Sequence, residues 1–189
     1  MMKPNSTAYR SMHAIARQAV FGCLIAAGNV HAGCPAHFEP RTIGPVSIGM
    51  NPKKLPVSYD LYPVMVTRAV IGRAEGDEPA LRVRLCRSQS FLVETESSGK
   101  VIGMAIDNPS IRGPYGVGVG STFKEIVNAY PSSVVVGGIE EESYLAVRVS
   151  EQGLAFAFDV AGLSEWTLKH AVTTSKELYD KRVTSVFIE

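Results

Sequence analysis

A chain of 189 residues with 46% hydrophobic and 20% charged residues has ordinary globular composition. Its length suits one domain or two very small ones, which excludes a disordered tail, a collagen-like chain and a multi-domain enzyme. The net charge of +1 conceals an asymmetry: Lys3, Arg10 and Arg17 precede the first acidic residue, Glu39, and 19 basic residues less these three leave 16 against 18 acidic, a body of −2 without the basic surplus of a nucleic-acid binder.

Residues 1–32 read as an export signal. The three basic residues open it, and Ala19–Gly28 is an apolar run well short of the roughly 20 residues a spanning helix needs. Val30-His31-Ala32 then sets small side chains at the two positions that signal peptidase reads, so cleavage is expected after Ala32, leaving 157 residues (189 − 32). Met12 offers an alternative initiator. The expected location is periplasmic or secreted, with no transmembrane helix once the signal is removed.

Cleavage removes Cys23 and leaves Cys34 and Cys86. An even pair in an oxidising compartment reads as a disulfide. Closing a loop of about 50 residues, it would add roughly 3–4 kcal/mol in the chain-entropy model. A second reading excludes the first. Ala32-Gly33-Cys34 is similar to the end of a bacterial lipoprotein box, in which Cys34 would carry a lipid anchor, although His31 stands where a bulky aliphatic residue is usual.

A weak internal repeat organises the remainder. Val46–Leu55 aligns with Val117–Ile126 at an offset of 71, each copy reading as an apolar strand end, a glycine (Gly49, Gly120), a capping residue and a helix start. Asn51-Pro52 supplies a cap and a first-turn proline, and Thr122 with Glu125 forms a capping box. Pro56 cuts the first helix short and Pro131 ends the second. Strands are expected over Val64–Glu75 and Ala80–Arg87 around a turn at Gly76-Asp77-Glu78-Pro79, then over Ser90–Glu96 and Val101–Asp107. The second half repeats the scheme at Ser133–Gly138, Ser143–Ser150, Leu154–Val160 and Val183–Ile188. Alternation in Leu81-Arg82-Val83-Arg84-Leu85 is that of a sheet with one covered and one wet face. An insertion near 161–181 reads as helix and loop, with Ser164 as the cap.

The predicted fold class is therefore α+β: two tandem helix-plus-antiparallel-meander repeats, 33–110 and 111–189, with the helices on one face of the sheet. The Ile/Val-Gly-x-[Asn/Thr]-x-x-x-Leu/Ile unit followed by a meander resembles the β-lactamase-inhibitor-protein type of fold. The same unit is found in small outer-membrane-assembly lipoproteins of the SmpA/OmlA type.

Chemistry-bearing constellations are scarce. Gly113–Thr122 is glycine-rich, but a P-loop needs Lys before the Ser/Thr and Gly120 stands there, so it reads as a structural turn. His37 and His170, the histidines outside the leader, are isolated, and there is no Gly-x-Ser-x-Gly elbow. Two cysteines 52 positions apart give no zinc-ligand spacing. No catalytic residue, cofactor or metal is expected. Glu140, Glu141 and Glu142 fill a turn beside Tyr144 and form the candidate partner-binding edge, offering negative charge to a basic surface. Tyr59, Tyr115 and Trp166 also fall near loop edges, where aromatic side chains can anchor a partner. The expected function is a non-catalytic binding protein of the bacterial envelope, with inhibition of a hydrolase implied by the resemblance. The alternative is an outer-membrane assembly or structural accessory lipoprotein, which lipidation of Cys34 would favour.

Overall fold

The computed structural model describes residues 36–59, 62–73, 76–86, 88–139 and 143–189. The expected leader, Cys34 and Glu140–Glu142 lie outside the described residues. The chain opens with three two-residue strands, β1 (Phe38–Glu39), β2 (Thr42–Ile43) and β3 (Val46–Ser47), paired in that order. Phe38, Ile43 and Val46 are fully buried, so this small sheet is held by its apolar side chains rather than by length. A 3-10 turn at Pro52–Lys54 and a short ribbon, β4 (Ser58–Tyr59) with β5 (Tyr62–Pro63), follow.

The body of the molecule is one antiparallel sheet of eight strands. Its first run is β6 (Met65–Arg73), β7 (Gly76–Arg84), β8 (Ser90–Thr95) and β9 (Val101–Ile106). After a 3-10 turn at Pro114–Gly116 and the helix α1 (Phe123–Ala129) come β10 (Val134–Ile139), β11 (Ser143–Val149) and β12 (Leu154–Phe158). The helix α2 (Glu165–Lys169) and β13 (Val183–Ile188) complete the chain. The spatial order β10-β11-β12-β13-β9-β8-β7-β6 joins two meanders through their last strands, with Val186 opposite Ile106 and Ile188 opposite Met104.

The expected α+β architecture of two helix-plus-meander repeats is overturned. The fold is mostly β, and the two α-helices among the described residues, of seven and five residues, both belong to the second half. A cap marks where a helix can begin, but an apolar stripe decides whether it continues. Phe123 and Ile126 are buried three residues apart, with Tyr130 following at the next turn, and α1 forms. Pro52, Lys53, Lys54 and Leu55 offer no such stripe. Both lysines are exposed, and only one 3-10 turn results, its cap made by Asn51 Oδ1 accepting from Lys53 N at 2.9 Å.

What recurs in the two halves is the strand-end pairing. Gly49 N donates to Val101 O and Val101 N to Met50 O, just as Gly120 N donates to Val183 O and Val183 N to Ser121 O. Gly49 and Gly120 both take a left-handed backbone, φ 85° and 87°, which glycine adopts without a Cβ penalty.

The expected turn at Gly76–Pro79 is also corrected, since these residues belong to β7 and Pro79 pairs with Val70. The β8 pairing reaches only to Leu81, so beyond it β7 has a single neighbour and a proline can face the unpaired side.

One contiguous core lies on the inner face of the large sheet. Val83, Phe91, Val93, Met104, Val186, Phe156 and Val147 project into it. The small sheet, α1 and α2 supply its other side, with Phe38 and Phe156 rings 6.3 Å apart and Phe123 and Phe158 rings 5.4 Å apart.

Candidate functional site

Side chains directly opposite on paired strands share a face, so the register dictates what the outer face presents. One row crosses all eight strands: Thr67, Arg82, Leu92, Ala105, Phe187, Ala155, Arg148 and Val134. At the spacing of neighbouring strands it extends about 34 Å. Its centre is apolar, with Leu92 and Phe187 half-buried and alanine between and beside them. Arg82 and Arg148 stand on either side. Ala146, Ala157 and Ser185 form a parallel small-residue row. Beside Phe187, the Glu94 side chain lies over Gly103, where an added Cβ would sit 3.4 Å from its carboxyl carbon. A hollow of about 290 Å³ opens there, lined by Glu94, Gly103, Phe187 and Glu189 among others.

The arginines are lightly held. Arg82 approaches Asp107 at 3.9 Å, both partly exposed, and its guanidinium reaches Ser90 Oγ at 3.5 Å. Arg148 is exposed. A weak exposed pair contributes little to stability, so these charges are available to a partner.

At the β10 end, two consecutive glycines admit neighbours from opposite sides. A Cβ on Gly137 would stand 2.5 Å from the Leu168 carbonyl oxygen, so α2 packs directly on the strand backbone. A Cβ on Gly138 would stand 2.7 Å from the Tyr144 ring, which covers that glycine on the outer face. Tyr144 is 41% exposed and belongs to the same face as the row. The other residues of the expected contact edge, Glu140, Glu141 and Glu142, lie outside the described residues.

The remaining singled-out residues fall elsewhere. Trp166, 67% exposed, stacks on His170 with ring centroids 4.7 Å apart, and the His170 Nδ1 contacts the Trp166 carbonyl oxygen at 2.8 Å. Its place is the helix side, across the strand from Tyr144. His37 pairs with Glu39 at 3.3 Å near β1. Tyr59 is half-buried beside Gly44. In the glycine-rich segment, Gly113 lies against the Phe38 ring and Gly118 against the Ile111 carbonyl, so these glycines serve close packing. Tyr115, with a left-handed backbone (φ 60°), sets its ring edge-on to Tyr130 at 5.5 Å. Burial, and then Tyr115, push the Tyr130 hydroxyl up to about 12. Cys86 is buried where β7 ends, and Cys34 is outside the described residues.

Sequence reasoning missed the row itself. The alternation through Arg82 and Arg84 signalled a wet face on β7, but which residues of seven other strands stand beside it is a matter of non-local register.

No helix among the described residues is long and apolar enough to cross a membrane. No known protein family matches the chain, and no curated protein does. Among solved structures, the crystal structure of the uncharacterized protein yfeY from Escherichia coli is similar over 68% of this chain and 82% of that one, at 13% identity and a TM-score of 0.39. At that level the likeness carries no argument about fold or function.

Proposed function

We propose that the protein is a non-catalytic binding protein of the bacterial envelope that covers a protein partner with the outer face of its eight-stranded sheet. The observation that carries this reading is the row from Arg82 to Arg148, an apolar centre with a cation on each side. Flat apolar centres with polar rims are the usual anatomy of protein interfaces, and small floor residues let a partner's side chains reach the sheet. The rim arginines suit acidic groups on the partner, while Tyr144 and Glu140–Glu142 add an aromatic and acidic corner for basic ones.

Affinity capture from native envelope extract on the tagged protein tests this. A partner should be recovered in stoichiometric amount, and Tyr144→Ala combined with alanine at Glu140, Glu141 and Glu142 should slow its association and weaken the salt dependence. Unchanged association would remove that corner from the interface. A recovered soluble hydrolase supports inhibition, whereas recovered outer-membrane barrels support the accessory role.

The compartment reading rests on the leader and on the two cysteines. Ala36 N donates to Gln89 Oε1 at 3.2 Å, which pins the chain three residues from Cys86. A bond that ties the first described residue to the segment just after Cys86 supports a Cys34–Cys86 disulfide over lipidation. Cys86→Ser should then lower the melting temperature under non-reducing conditions, and an unchanged value would argue for a lipidated Cys34.

A further inference from the structure

The two edges of the large sheet differ. β10 is six residues long, with α2 packed on one of its glycines and the Tyr144 ring on the other. β6 is nine residues long and pairs with β7 in unbroken register from Met65–Arg84 to Arg73–Gly76. No proline or bulge interrupts it, and among the described residues no strand pairs with its other side. Natural sheets normally blunt such an edge, because its unpaired N–H and C=O groups form a template for another extended chain. Three apolar side chains along it are exposed, Met65 at 43%, Val66 at 42% and Val70 at 57%, while Ile71 is buried at 7%.

We propose that β6 is a docking edge for an extended segment of a partner protein, which adds a ninth strand and sets an acidic side chain, between two apolar ones, against Arg68. Alternation places Val66, Arg68 and Val70 on one face, so the complementary segment is apolar, acidic, apolar at every second residue. Charge decides the occupant. Arg68 and Arg84 are exposed and have no carboxylate partner among the described residues. Arg84 instead directs its guanidinium to the Met65 sulfur, a weak acceptor that an incoming carboxylate would outcompete. A second copy of this chain, paired antiparallel about Arg68 so that Val66 faces Val70, would set Arg68 directly opposite Arg68, which like-charge repulsion opposes. At the start of the edge, a hollow of about 650 Å³ lined by Tyr62, Pro63, Met65, Arg84 and Cys86 can accept one further apolar side chain. Thr67 of β6 ends the outer-face row, whereas Val66, Arg68 and Val70 stand on the other side of the strand, the side of the buried Val83, so each reading can fail without the other.

The test is fluorescence anisotropy of the purified protein with a labelled peptide of alternating threonine and the triplet valine, glutamate, valine. Two control peptides carry lysine for glutamate or alternate backbone N-methyl groups. Wild type should bind the first peptide saturably, and Arg68→Glu should weaken that binding at least tenfold while strengthening binding of the lysine peptide. The N-methylated peptide, which keeps every side chain but loses the strand N–H groups, should not bind. No saturable binding at millimolar peptide overturns the proposal. So does an equal loss in an Arg148→Glu control, which would mean that charge alone attracts the peptide. Sedimentation of the same samples reads the other occupant: a dimer abolished by Arg68→Glu would assign the edge to a second copy and overturn the proposal.

Discussion

Tyr130 shows how much a single buried polar atom can matter here. Its side chain is 3% exposed, packed 5.6 Å from the Phe156 ring, and its hydroxyl has no hydrogen-bond partner among the described residues. A buried hydroxyl without a partner costs free energy that a phenyl ring of the same shape would not, so Tyr130→Phe should raise stability by about 1 kcal/mol in equilibrium denaturation at neutral pH. The pH dependence has a definite direction. Folding holds the Tyr130 proton more tightly than the unfolded chain does, so this group's contribution is complete below about pH 10 and is lost as pH rises through about 12. The gain from Tyr130→Phe should therefore grow between those values, and a constant difference would contradict the burial argument. Two glycines of the neighbouring turn separate two costs. A Cβ on Gly113 would stand 2.2 Å from the fully buried Phe38 ring, and Gly113→Ala should cost about 3 kcal/mol. Gly116 has open space but φ +72°, and Gly116→Ala should cost only about 1 kcal/mol. Thermal denaturation of the two variants checks that order.

At the scale of elements, α1 is held by both ends of its first turn. Thr122 Oγ1 accepts from Glu125 N at 3.2 Å, and Glu125 Oε2 accepts from Thr122 N at 2.7 Å. Thr122→Ala should lower stability by about 1 kcal/mol, read from the denaturation midpoint. The backbone N–H of Thr122, and after it the Thr122 hydroxyl, hold the Glu125 carboxyl below its ordinary range. Its contribution is thus present above the unfolded value and lost as pH falls through the folded one. Glu125→Gln should flatten that acid-side loss, measured as stability against pH below 5. This capping box was legible in the sequence because it is local, as were the strands from Ser90 to Ile106 and from Val134 to Ile188, where alternation or β-branched runs mark a sheet. β1, β2, β4 and β5 were not legible, since two residues carry no period, and β3 was legible only as the apolar strand end that opens the repeat unit at Val46. The missing first helix had a valid cap at Asn51, but Lys53 and Lys54 gave it nothing to bury. The turn misplaced at Gly76–Pro79 shows that glycine and proline mark irregular pairing as well as chain reversal. Of the candidate site, Tyr144 was legible as a residue beside a turn, while its neighbours on the outer face were not.

For the whole molecule, two meanders joined through β9 and β13 pack one face of the sheet on the core, while the outer face carries a row of side chains across all eight strands. The open face gathers Arg82, Leu92, Phe187, Ala155 and Arg148 from five strands far apart in sequence, which only the assembled register can do. The same register leaves β6 as a long edge, so the sheet offers a partner a face and a border of different chemistry. The face is the central claim, and site-specific photocrosslinking in cells tests it most directly. A photoreactive residue at Ala155, in the middle of the row, should give a discrete protein adduct, whereas one at Lys124, exposed on α1 at the packed side, should not. Adducts from Lys124 with none from Ala155 would contradict the account, because the partner would then meet the helix side and the open face would be only the back of the sheet.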